Sequence, residues 1–109
     1  DIYFEFDRSN ITQQGAFELN KLVQIMENNP TMRIKIEAHT DTQGSDAYNL
    51  NLSQQRAMYT RQYLIAQGIS PDRLEAQGYG ESQPAIDCGD NCTDEQHAMN
   101  RRSEFIILR

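Results

Sequence analysis

Ile2, Phe4 and Phe6 alternate with Tyr3, Glu5 and Asp7, the period-two signature of a strand with one buried face. Arg8 to Ile11 reads as a polar turn. Thr12 can cap a following helix, in which Leu19, Leu22, Val23 and Met26 fall at the i, i+3, i+4, i+7 spacing of one apolar stripe. Asn28, Asn29 and Pro30 end it, because proline disfavours helical geometry in the residue before it and has no N–H for the ladder. Met32, Ile34, Ile36 and Ala38 then alternate with Arg33, Lys35 and Glu37, so a second half-buried strand delivers His39, Thr40 and Asp41 at its C-terminal end.

Residues 42 to 48 are rich in turn formers, and a short irregular turn is expected over Tyr48 to Leu52. Ser53 is the expected cap of a longer helix that runs to Gln67, with Ala57, Thr60, Tyr63 and Leu64 facing the core. Gly68 stands where a left-handed residue would close it. A third strand is expected from Leu74 to Tyr79, with Gly78 and Gly80 loosening its exit. Ser82 to Thr93 reads as one surface loop, Asp94 to Met99 as a helical turn, and Phe105 to Leu108 as a last, mostly buried strand. The order strand, helix, strand, helix, strand, strand predicts an α+β sandwich with two long helices on one face of a four-stranded sheet. Right-handed crossovers would open the ends of the second and third strands onto one edge, where Asp41, the start of the second helix and the Gly78 to Gly80 turn share a pocket.

A chain of 109 residues suits a single domain, spanning 1–109. Because the alternation opens at residue 2, the chain reads as an excised module whose anchor or export signal lies elsewhere. The net charge of -6 argues against a general binder of nucleic-acid backbones, which needs a basic face. No run approaches the roughly 18–20 apolar residues of a membrane span. Cys88 and Cys92 are the two cysteines, and the three residues between them permit a tight disulfide, which would indicate oxidising surroundings. A reduced pair and a metal site with His97 as third ligand are the alternatives, the latter short of a fourth protein ligand.

The chemistry concentrates between Ala38 and Arg56. Asp41 at a strand end and Arg56 within a helix offer one carboxylate and one guanidinium from separate elements, an arrangement able to grip the amine and carboxylate of one zwitterionic ligand. Thr40 and Asn49 are plausible polar neighbours. The bland alternative is an Asp41–Arg56 ion pair that only stitches strand to helix. A hydrolytic triad of His39 with Ser45 or Ser53, and a glycosidase-like pair of Asp41 with Glu81, both demand geometry that nothing in the sequence supplies. His39 is expected instead to bond to nearby backbone at the strand end. Alternation along the last strand aims Arg101 and Arg102 at opposite faces, so only one should reach the pocket.

F-x-F-D near the start, H-T-D-x-x-G-S-x-x-Y-N-x-x-L-S-x-x-R-A, G-I-S-P-D-R-L, G-Y-G-E-x-x-P and N-R-R-S-E-F follow one another along nearly the whole chain. In this order they resemble the OmpA-like peptidoglycan-binding domain, found also in peptidoglycan-associated lipoproteins and flagellar stator proteins. The resemblance implies a sheet of order 1-4-2-3 and a non-enzymatic module without a cofactor on the periplasmic face of the outer membrane. It implies that Asp41 and Arg56 hold the diaminopimelate of a peptidoglycan stem peptide, with Asn100, Arg101 and Arg102 bordering the pocket. The segment from Cys88 to Cys92 departs from the shared pattern in a region where the family varies in length and some members carry a disulfide. A wall hydrolase or amidase and a protein-interaction module without a wall ligand are the competing expectations.

Overall fold

The structure is a computed structural model and describes residues 2–3, 12–83, 86, 88 and 91–108. Its elements are β1 (Ile2–Tyr3), α1 (Gln13–Asn28), β2 (Arg33–Ala38), α2 (Asp46–Ala66), a 3-10 turn (Pro71–Arg73), β3 (Leu74–Gly78), α3 (Asp94–Asn100) and β4 (Arg102–Leu108). The sheet runs β1-β4-β2-β3, and three strands carry it, because the described part of β1 is only two residues long. Phe4, Phe6 and the turn expected after them lie outside the described residues. β2 pairs antiparallel with β4 from Arg33↔Leu108 to Ala38↔Ser103 and parallel with β3 from Ile34↔Leu74 to Ala38↔Gly78. The result is an α+β fold with a mixed sheet and three helices among the described residues, the two long ones expected and a third, shorter one. The third is α3, where a capping box between Thr93 and Gln96 satisfies the first turn and extends the expected helical turn to seven residues.

α1 begins where Thr12 accepts a hydrogen bond from the Gly15 N–H at 2.9 Å. Its Leu19, Val23 and Met26 are buried against Ile34, Ile36 and Ala38 of β2, together with Ala57 and Leu64 of α2, Ile69 and Leu74. The orphan carbonyls at its C-terminal end are met from far along the chain. Arg73 Nη2 donates to Met26 O and Asn29 O, each at 2.8 Å, and Arg73 Nε donates to Met32 O at 2.9 Å.

α2 starts seven residues before the expected cap, at Asp46, with Ser45 as N-cap accepting from the Tyr48 N–H at 3.1 Å. The segment 48–52, expected as an irregular turn, is helical, and Ser53 lies inside the helix. The reason is that α2 buries a polar stripe: Asn49, Ser53, Arg56 and Thr60 are buried alongside Leu52, Ala57 and Leu64. Apolar periodicity is blind to such a face. Ser53 Oγ donates to Leu50 O and accepts from the Gly80 N–H, both at 2.8 Å, binding the helix to the exit of β3. Gly68 takes a left-handed conformation, φ 101°, just past the helix end.

The last strand is longer and more exposed than expected. It begins at Arg102 rather than Phe105, and Ile106 and Ile107 are largely open to solvent. β1 pairs only with Ser103 and Arg102, so beyond them the flank of β4 facing away from β2 has no strand partner among the described residues. No described helix is long and apolar enough to cross a membrane.

Gly78 permits the approach of β3 to α2. A Cβ built on it would stand 2.3 Å from the backbone nitrogen of Gln54 and 2.5 Å from the carbonyl carbon of Ser53, a clash with main chain that cannot swing aside. Gly78→Ala is therefore expected to destabilise the domain by about 1–3 kcal/mol, the usual range for overpacking. A thermal melt unchanged from the parent would remove this close approach from the account.

Candidate functional site

β2 ends at Ala38, and the chain continues beside its neighbours for three more residues. His39 N–H donates to Arg102 O at 2.7 Å and Thr40 N–H to Gly80 O at 2.9 Å, which delivers Asp41 to the edge where α2 begins. Asp41 is almost wholly buried, 3 % exposed, and its two carboxylate oxygens have separate duties. Oδ1 accepts from the Gln43 N–H at 2.9 Å, holding the turn, while Oδ2 accepts from Arg101 Nη1 at 2.9 Å. Its carbonyl accepts from Thr40 Oγ1 at 2.9 Å and from Asn49 Nδ2 at 3.3 Å.

Arg56 rises from the polar stripe of α2 and is 0 % exposed, with Nη1 donating to His39 O at 3.2 Å. A guanidinium so far from water persists only where acceptors surround it, since burying an unsatisfied charge is prohibitive. Thr40, Asp41, Asn49, Arg56 and Arg101 line one cleft of about 190 Å³, counting the space open at its mouth. Gln43, Tyr48 and Leu52 complete the lining, and of these Gln43 and Leu52 were not singled out in the sequence. Leu52 belongs to the second turn of α2, so placing the helix start too late hid it. Asn49 also donates to Glu81 Oε1 at 3.1 Å, which brings a second carboxylate to the rim.

Arg102 is not among the lining residues. Its Nε donates to Glu104 Oε1 at 2.9 Å, Nη2 to Gln83 O at 3.0 Å and Nη1 to Asn100 O at 3.4 Å, so it fastens the loop before α3 to β4. The guanidinium on Asp41 is thus Arg101's, supplied where α3 hands over to β4, sixty residues along the chain.

The triad geometry is not assembled. Ser53 is spent on Leu50 O and the Gly80 N–H, Ser45 caps α2, and neither ring nitrogen of His39 has a hydrogen-bond partner among the described residues. The expected bond of His39 to nearby backbone is made by its main chain, while its ring stacks on Tyr79 with centroids 5.6 Å apart. Burial, with the nearby Arg102 charge, holds that imidazole below its ordinary pKa and so favours the neutral ring. Cys88 and Cys92 are joined in a disulfide with Cα atoms 5.2 Å apart, which leaves no thiolate for a metal site with His97.

Comparison with known proteins gives consistent matches. The model of the OmpA family matches residues 3–101. Outer membrane porin F of Pseudomonas fluorescens is 39% identical over 107 residues, covering 98% of this chain and 32% of its own length. The peptidoglycan-associated lipoprotein of Buchnera aphidicola subsp. Baizongia pistaciae is 33% identical over 105 residues, covering 96% of this chain and 59% of its own. Among solved structures, the peptidoglycan-associated lipoprotein from Burkholderia pseudomallei superposes with a TM-score of 0.90 at 29% identity, over 98% of this chain and 88% of that one. The chain thus spans about a third of the porin and somewhat over half of the Buchnera lipoprotein.

Proposed function

This chain belongs to the OmpA family, and from that premise we propose that it binds peptidoglycan without covalent chemistry, tying an outer-membrane or envelope protein to the cell wall from the periplasmic side. The ligand group is the diaminopimelate of a stem peptide. Diaminopimelate differs from lysine by a carboxylate beside its distal amine, so its receptor needs an anion and a cation within one head-group's reach. The observation that carries the reading is that Asp41, Arg56 and Arg101 line the same cleft.

Asp41 receives the ammonium, and Arg56 faces the carboxylate, a planar fork being better suited to it than a lysine. Thr40 and Asn49 fix the main chain around Asp41, through its carbonyl, so that the carboxylate keeps its aim. Arg101 already bonds Asp41 Oδ2, so an arriving ammonium must share that carboxylate or displace the guanidinium. Lining charges of two arginines against one aspartate favour a ligand with at least as much carboxylate as ammonium. The names of the related lipoproteins and the disulfide support the same reading, the latter because such bonds persist in oxidising compartments such as the periplasm. No cofactor has a part in this mechanism, and no bond is broken.

Titrating the 109-residue chain with a diaminopimelate muropeptide and with its lysine counterpart tests the proposal. The expected result is saturable binding of the first and roughly ten- to 150-fold weaker binding of the second, the equivalent of one charge-assisted contact at about 1.5–3 kcal/mol. Turnover of either peptide would indicate a hydrolase instead. Silence from both would indicate a module for protein partners.

A further inference from the structure

On the face of the sheet opposite Ile34 and Ile36, Glu37 of β2 stands directly across from Glu104 of β4. Like charges facing each other across an antiparallel pair are destabilising unless a cation is near. Each of these carboxylates has one oxygen held by donors. Glu37 Oε2 accepts from Tyr79 Oη at 2.9 Å and lies 3.2 Å from Lys35 Nζ, and Glu104 Oε1 accepts from Arg102 Nε at 2.9 Å. The other oxygen of Glu104, Oε2, lies 3.8 Å from His39 Nε2.

His39 is the odd member. It is 0 % exposed, yet both its ring nitrogens are buried without a hydrogen-bond partner among the described residues. Buried polar atoms are nearly always satisfied, so an imidazole orphaned on both sides needs an explanation. One ligand atom from each of Glu37, His39 and Glu104 lies within 4.8 Å of the others.

We propose that Glu37, His39 and Glu104 form a binding site for a divalent transition-metal ion, with zinc as the fitting occupant and water completing its coordination. One imidazole and two carboxylates are a donor set that zinc accepts, at bonds of about 2.0–2.2 Å, which set ligand atoms roughly 3.4 Å apart. The closure this requires falls on Glu37 and Glu104, whose side chains are partly exposed and can turn in, while the buried ring stays fixed. Tyr79, Lys35 and Arg102 then act as the outer ring of donors that orient ligating carboxylates in metal sites. An ion there would satisfy one of the two orphaned ring nitrogens and stand between the two facing carboxylates. The site is distinct from the cleft, because His39 offers Arg56 its carbonyl and would offer the ion its ring.

Zinc titration of the 109-residue chain by calorimetry, with cobalt as a visible-spectrum probe of coordination, tests the site. One equivalent should bind at micromolar zinc, the cobalt form should show the intense bands of a tetrahedral centre, and the disulfide excludes thiolates as the source. Glu104→Gln and Glu37→Gln keep the side-chain volume and should each weaken zinc by about tenfold or more, a loss typical of even the outer residues of metal sites. Both should leave the muropeptide titration unchanged. No saturable uptake by the parent chain, or uptake that survives both substitutions at full strength, would overturn the site.

Discussion

Asp41→Ala is expected to weaken muropeptide binding by about 2–5 kcal/mol, roughly thirty- to several-thousand-fold, with the fold intact. The loss is large because the carboxylate is almost wholly buried, so that removing it takes away the anion that a ligand ammonium would meet and leaves that charge poorly compensated. The fold should survive because Asp41 stands outside the apolar cluster that joins α1, β2 and α2. The Arg101 guanidinium it releases sits near the cleft mouth, 14% exposed, with solvent at hand. Asp41→Asn sharpens the test, since its amide oxygen can still accept from the Gln43 N–H while the charge is gone. Both variants should melt close to the parent and bind far more weakly, as read by calorimetry beside a thermal scan. Affinity within about twofold of the parent in Asp41→Asn would remove that carboxylate from recognition.

Arg56→Ala carries the second large effect, and it falls on stability as well as binding. Arg56 is among the largest fully buried side chains, so truncation leaves a cavity together with an unmet carbonyl at His39. Large-to-small changes at such sites cost about 2–5 kcal/mol, and for a domain of this size each kcal/mol lowers Tm by roughly 4–8 °C. Arg56→Lys separates the two roles. It retains the charge and most of the stem but loses the planar fork, so it should recover much of the Tm while the preference for diaminopimelate over lysine falls. If Arg56→Ala melts with the parent, the buried polar stripe of α2 is not the structural element described above.

The alternation of β2 and the stripe of α1 were legible in Ile34, Ile36 and Ala38 and in Leu19, Val23 and Met26, because in both the buried face is hydrophobic, while Leu22 and Met32 are only partly buried. α2 was legible only in its second half. Its first turns bury Asn49, Ser53 and Arg56, which a search for apolar spacing reads as solvent-facing, and so its start was placed at Ser53 instead of Asp46. The same polarity that hides the helix start is what equips the cleft. β4 misled in the opposite sense, since Ile106 and Ile107 look like core in sequence, while the described pairing with β1 covers only Arg102 and Ser103 and both isoleucines are exposed. At the site, Asp41 and Arg56 were legible because a strand end and a helix pattern bracket them. The Arg101 contact was not, since it depends on where α3 ends and how that end meets β2. The disparity between Arg101 and Arg102 follows from the same junction, which sends one guanidinium to Asp41 and the other to Glu104 and the Gln83 carbonyl.

The Ser53 hydroxyl joins a helix to the exit of β3, and Gly78 lets the two backbones touch with no side chain between them. The helix that carries Asn49, Leu52 and Arg56 into the cleft is therefore seated directly on the backbone of β3, with no side chain at Gly78 to repack when a guest arrives in that cleft. Adjustment is left to the groups at its lip, Arg101, Gln43 and Tyr48, so recognition proceeds on a pre-shaped seat and the entropic penalty of ordering is confined to a few rotamers.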